Sequence, residues 1–173
     1  MVNEHIWDEL RNTLFRARMY HQCWWYLAGT HEERGFRLSA PGQEWLFFSA
    51  AEDAFWEALV CSLASIFDND TESISFRSLP ELKPHPNYER TYQLGRLLYR
   101  YRSKAIAHSA SCVARKPDGY GFGLCFDDVK TILDNSCSIY NECADAQSLC
   151  GVPDSSCDDD LRTILAKLTR ATV

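Results

Sequence analysis

The stretch Tyr92-Gln-Leu-Gly-Arg-Leu-Leu-Tyr-Arg-Tyr-Arg-Ser-Lys-Ala-Ile-Ala-His-Ser109 decides how the chain is read. Leu94, Leu97, Leu98, Tyr101 and Ala105 recur at helical spacing and predict one core-facing stripe on a helix over 88–107. Arg96, Arg100 and Lys104 stand four apart and form a basic stripe on another side, while Arg102 flanks the apolar one. The segment closes on Arg102-Ser-Lys-Ala-Ile-Ala-His108. Arginine stays charged and offers a planar fork of donors that fits a phosphate. Histidine titrates near neutrality and moves protons under mild conditions. A phosphate clamp beside a proton shuttle is a minimal kit for cleaving RNA without a metal. In an unbroken helix, six residue steps give ~9 Å of rise and leave Arg102 and His108 ~120° apart, so they would not share a face. Either the helix unwinds before His108 or the working site combines residues from two copies, and this points to a dimer.

Charge sharpens the reading. The chain is acidic, with 24 Asp+Glu against 18 Lys+Arg. The segment from Lys83 to Lys116 nevertheless carries Lys83, Arg90, Arg96, Arg100, Arg102, Lys104, Arg115 and Lys116 against the single acid Glu89, and the remainder is left with 10 bases and 23 acids. Positive charge gathered around the Arg/His pair is the footprint of a phosphate-bearing partner, RNA foremost. The plainer alternative is a set of solvated helix faces and a flexible loop.

A length of 173 residues fits one domain spanning 1–173, with room for a full core. The best apolar stretch, Trp45 to Phe67, is interrupted by Glu52, Asp53 and Glu57, and the polar start Met1-Val-Asn-Glu-His has no basic leader. The expectation is therefore a cytoplasmic chain without membrane partners. Eight cysteines include no Cys-x-x-Cys pair, which argues against a zinc site and, without a secretory signal, for free thiols. Cys143, Cys150 and Cys157 repeat every seven residues, as on one side of a helix, where cysteine acts as a small apolar residue.

In chain order, Ile6, Trp7, Leu10, Leu14, Ala17, Trp24, Trp25 and Ala28 predict a helix over 3–28 that carries His21 and ends at Gly29. After a polar connector over 31–42, a second helix is expected from Pro41 or Gly42 to Phe67, with Phe47, Phe48, Ala51, Ala54, Phe55, Ala58, Leu59, Ser62 and Ile66 buried. Asp68-Asn-Asp-Thr-Glu-Ser73 is a turn, Ile74 to Leu82 a short helix, and Pro80, Pro84 and Pro86 impose an extended link. The Gly-rich loop 109–124 carries Tyr120 and Phe122, expected to lie down on the domain. A helix over 127–149 buries Val129, Ile132, Leu133, Ile139 and Tyr140, and another is expected over 158–171. Its opening Asp158, Asp159 and Asp160 read as helix-start acids rather than metal ligands. No strand-like alternation of useful length occurs. The fold class is all-α: a single-domain up-and-down bundle of about five to six helices.

These features together resemble a HEPN domain, a small all-α fold of prokaryotic defence proteins, toxins and RNA-processing factors, and most of all its abortive-infection branch. The likeness rests on Arg102-x5-His108 at the end of a long helix, the run Ala-Ile-Ala-His-Ser, Ile66-Phe67-Asp68 closing the preceding long helix, and the acid-started helix at Asp127-Asp128. One departure is Ser103, where active members carry Asn, Asp or another strongly polar residue after the arginine. The resemblance implies a homodimer with two motifs facing across a groove, in which His108 is general base or acid and Arg102 holds the scissile phosphate. It places Lys104, Arg100 and Arg96 along the RNA backbone, with Ser103 and Ser109 also at the substrate. It implies no metal or other cofactor, and an antitoxin or other defence-system protein as partner. Two other readings remain beside it. One is a non-catalytic HEPN-like module that binds RNA, a nucleotide or a protein; the other is a helical dimerisation protein whose Arg/His pair is structural.

Overall fold

The computed structural model describes residues 3–28, 43–103, 124–154 and Thr163. Four α-helices account for most of them: α1 Glu4–Ala28, α2 Gln43–Ser65, α3 Tyr88–Tyr101 and α4 Phe126–Ala146. Two 3₁₀ turns, Phe76–Ser78 and Pro80–Leu82, lie between α2 and α3. Among the described residues there is no strand, and no helix is long and apolar enough to cross a membrane. The expected helix over 158–171 lies outside them, apart from the helical Thr163.

The helices pack in a ring: α1 on α2, α2 on α3, α3 on α4 and α4 back on α1. Side-chain contacts give their directions. Trp7 near the start of α1 meets Tyr140 late in α4, while Trp24 near the end of α1 stacks on Phe126 at the start of α4. Phe67, just past α2, lies against Gly95 and Tyr92 in α3, whereas Cys61, further back in α2, lies within electrostatic reach of Arg102 at the end of α3. His85, just before α3, bonds Glu142 near the end of α4. Each of these neighbouring pairs therefore runs antiparallel, and the bundle alternates up and down around one core.

α1 buries Trp7, Leu10, Leu14, Ala17 and Trp24, a 3-4-3 spacing that keeps one face inward. All five residues expected to be buried in α4 are buried. Its first turn holds Asp127 and Asp128, and the Asp128 carboxylate accepts the Cys125 backbone N–H at 2.7 Å, satisfying one of the amides that a helix start leaves open. The turn after α2 uses its own side chains: Asp68 accepts from the Asp70 backbone N–H and Asp70 from that of Glu72, both at 3.0 Å.

Three expectations need correction. Along α2 and just past its end, Phe48, Leu59 and Ile66 are buried, but Phe47 is 68% exposed and Ala54 is exposed; Trp56, Val60, Leu63 and Ala64 fill the core instead. That helix is apolar on most sides, so its pattern alone does not tell which side faces inward. The stretch 74–82 is not an α-helix. Pro80 has no N–H to continue one, and the chain instead makes tight turns: Lys83 donates to Pro80, His85 to Leu82 and Tyr88 to His85. The link to α3 is thus a string of turns, not an extended segment, and it is pinned by Phe76, Leu79 and Leu82, all buried. Finally, Cys143 lies in α4 but Cys150 falls beyond its end and is exposed, so the seven-residue spacing does not mark one helical face. Cys23, Cys61, Cys125, Cys137, Cys143 and Cys150 are free thiols, while Cys112 and Cys157 lie outside the described residues.

α3 turns inward along Tyr88, Thr91, Gly95, Leu98 and Tyr101, with Leu94 and Leu97 only half-buried. A methyl group on Gly95 would overlap the near edge of the Phe67 ring, which is itself fully buried. Gly95→Ala gains at most ~1 kcal/mol of helix propensity, but overpacking costs ~1–3 kcal/mol or more when the neighbour cannot yield. Thermal melts should show Gly95→Ala lowered by several degrees, and less than additively with Phe67→Leu.

His21 of α1 is half-buried, stacked on Trp25 with ring centroids 6.3 Å apart. Burial pushes its pKa below 6.5, with Lys130 adding to the fall and Asp134 opposing it. A lowered folded pKa means the unfolded chain takes up the proton first. The contribution to stability is therefore full above pH 6.5 and is lost as pH falls through the lower folded value. Thermal midpoints compared at pH 7 and pH 5 should fall further for the wild type than for His21→Gln.

Candidate functional site

Arg102 closes α3. It stands four residues after the fully buried Leu98, and therefore continues the core-facing line of Thr91, Gly95 and Leu98 where the core gives out. At this point the helix widens into a π-type turn over Arg102 and Ser103, and the Arg102 backbone N–H is shared between the carbonyls of Leu98 and Tyr99. Such turns are uncommon and gather at functional sites. The Arg102 side chain is half-buried and makes no ion pair among the described residues. A guanidinium in that setting has shed part of its hydration without gaining an acid, an arrangement that favours an incoming anion.

Tyr99 positions it. Residues 96, 99 and 102 are spaced three apart, so their side chains meet along one side of the helix. The Arg96 guanidinium carbon lies 5.0 Å from the Tyr99 ring centroid and that of Arg102 5.3 Å. Arg96 also donates from Nη1 to the Phe67 carbonyl at 2.9 Å, binding α3 to the end of α2. Arg96 is thus a braced cation rather than a free one, whereas Arg100 is exposed and, two residues before Arg102, lies ~160° away around the helix. One phosphate cannot be held by both within a single chain. Ser103 is half-buried in the π-type turn. His108, Lys104 and Ser109 lie outside the described residues, as do Tyr120 and Phe122.

Cys61 approaches from α2. Burial pushes its thiol pKa up, the Arg102 charge pulls it down, Glu57 pushes it up again, and the net shift is upward. The group therefore remains a thiol at neutral pH and is no nucleophile. Glu52 and Asp53 are half-buried and already engaged. No group of three or more His, Cys, Asp or Glu is arranged to hold a metal among the described residues.

The structure thus brings Arg96 and Arg102 together through a residue that sequence reading passed over. Tyr99 was legible in principle, since it lies three residues from each arginine. Cys61 was not, because only packing sets α2 against the end of α3. No protein-family model, curated protein or solved structure matches this chain.

Cation–π contacts are worth ~0.5–1 kcal/mol each at exposed sites. Losing the ring, and with it two such contacts, should therefore cost roughly 1–2 kcal/mol of folding stability. Chemical denaturation should show this loss for Tyr99→Leu and near wild-type stability for Tyr99→Phe.

Proposed function

We propose that this chain is a HEPN-type, metal-independent endoribonuclease of the toxin or phage-defence kind, working in the cytoplasm as a homodimer. The observation that carries the reading is the half-buried Arg102 without an acid partner among the described residues, held on Tyr99 where α3 leaves α-helical geometry. The all-α up-and-down bundle accommodates it, and a further helix over 158–171 would bring the count to five.

In this reading the Arg102 fork grips two oxygens of the scissile phosphate and offsets charge as it builds in the transition state. His108 removes the proton from the ribose 2′-hydroxyl, which attacks the phosphorus, and a protonated imidazole returns a proton to the departing 5′-oxygen. Two copies supply two Arg/His pairs across one groove, so the separation expected along a single helix is met by the partner's motif. In the alternative, one-chain arrangement the helix would have to unwind beyond the π-type turn at Arg102 and Ser103 to bring His108 alongside. Arg100, on the exposed side of α3, would contact backbone phosphates further along the strand. An antitoxin or other defence-system protein would cover the groove.

Cleavage of a labelled mixed-sequence RNA in EDTA tests the proposal. Positioned proton transfer contributes on the order of 10²–10⁴-fold, so His108→Ala should lose activity by that factor while remaining folded. Arg102→Lys keeps the charge but lacks the fork, and should cut well below wild type. A wild type that does not cut, yet binds RNA in a salt-dependent way, makes the non-catalytic binding module the better reading.

A further inference from the structure

At the opposite end of α3, ~20 Å from Arg102 by helix rise, the linker turns and the start of the helix enclose an open cleft of about 420 Å³. Asn69, Arg77, Lys83, His85, Tyr88, Glu89 and Tyr92 line it. Its volume falls in the range of small-ligand sites. We propose that this cleft binds a phosphate group carried on a nucleotide-sized ligand, either a free nucleotide or a nucleotide of a single-stranded RNA.

The hydrogen-bonding state of each wall residue supports the assignment. Arg77 and Lys83 are exposed and make no ion pair or side-chain hydrogen bond among the described residues. The Tyr92 hydroxyl donates to Asn69 Oδ1 at 2.6 Å, which fixes that amide and leaves its NH₂ free to donate. The Tyr88 hydroxyl is held protonated, its pKa pushed up to about 12 by burial first and then by Tyr92 and Glu89, against the pull of Arg77. Four donors are thus uncommitted: a guanidinium, an ammonium, an amide and a phenol. Donors of this kind, two of them charged, suit a phosphate.

The other walls are occupied. The His85 Nδ1 accepts the Asn87 backbone N–H at 3.2 Å, so its proton sits on Nε2 and points to Glu142 at 3.0 Å. That ring is a fixed wall and not a donor to ligand. Glu89 accepts from Gln93 at 2.8 Å through one oxygen, which leaves the other for a ligand hydroxyl such as that of ribose. The floor is rigid. Phe76, Tyr88 and Tyr92 form a near-parallel stack, with interplanar angles of 17° and 9°. Phe76 is in turn tied to the end of α2 by its N–H to the Ile66 carbonyl at 2.9 Å. The cleft is therefore formed before any ligand arrives, which reduces the ordering cost of binding. Its chemistry does not depend on the nuclease reading, since neither Arg102 nor His108 takes part.

The test is isothermal titration with adenosine monophosphate, with adenosine as the phosphate-free control, and with a short single-stranded RNA on a non-cleaving His108→Ala background. Each is repeated with Arg77→Gln/Lys83→Gln, at two exposed positions, and with Tyr88→Phe, which keeps the ring stack if the double variant fails to fold. Binding of the monophosphate but not adenosine, weakened at least ~10-fold in the double variant, assigns a free nucleotide. RNA affinity that falls in the double variant, without binding of the monophosphate, assigns the strand as the source of the phosphate. The proposal is overturned if neither ligand distinguishes the folded variants from the parent protein, or if adenosine binds as well as its monophosphate. Because the readout is binding, a failure here leaves RNA cleavage at Arg102 and His108 intact, and the reverse also holds.

Discussion

Phe67 resting on Gly95 sets the geometry of everything that follows in α3. Only a residue without a Cβ lets the ring of Phe67 lie against the helix backbone, and that contact fixes how far α3 is slid along α2. With Phe67 seated, its own carbonyl comes within reach of Arg96, which crosses from α3 to take it. Arg96 then lies on Tyr99, Tyr99 supports Arg102, and Arg102 comes to rest near Cys61 on α2. A van der Waals contact in the core thus determines where a charge sits about two helical turns away. The linkage is mechanical: packed interiors transmit displacement instead of absorbing it.

The same neighbourhood fixes the other end of α3. Phe67 touches both Phe76 and Tyr92, and Phe76 and Tyr92 flank Tyr88. One aromatic cluster therefore joins the close of α2, the first 3₁₀ turn and the start of α3. The linker, which makes tight turns instead of a helix, is ordered through these rings and through the bond from Phe76 to Ile66. Two basic regions at opposite ends of one helix are consequently held at a set distance by a shared hydrophobic centre. The two regions thus draw on different side chains of one helix and its linker.

The two regions differ in kind. At Arg102 a partly desolvated guanidinium has no acid partner among the described residues, a costly placement that carries the functional reading. At the linker cleft the cations are exposed, and the cost lies instead in orienting the tyrosine and asparagine donors, which the stack and the Tyr92–Asn69 bond have already met. Electrostatic attraction at the second site is accordingly more open to screening by salt.

Much of this was legible in the sequence. Helical periodicity gave α1 nearly to the residue, and the regular spacing of Val129, Ile132, Leu133, Ile139 and Tyr140 gave the buried face of α4, because an amphipathic stripe reports its own inward side. The all-α class and the turn at Asp68 to Ser73 followed from local chemistry alone, as did the candidacy of Arg102. The inward side of α2 did not, since a helix apolar nearly all round carries no phase. Nor did the inward placement of Thr91 and Gly95, the latter set against the ring of Phe67, which a side chain there would displace. Arg77, 25 residues before Arg102, came to line the linker cleft by tertiary folding, with Asn69 and two tyrosines for neighbours. The sequence by itself determined which helices form and which side chains are chemically able. Packing between helices decided which of those side chains meet and which remain free for a ligand, because both depend on contacts between residues far apart in the chain.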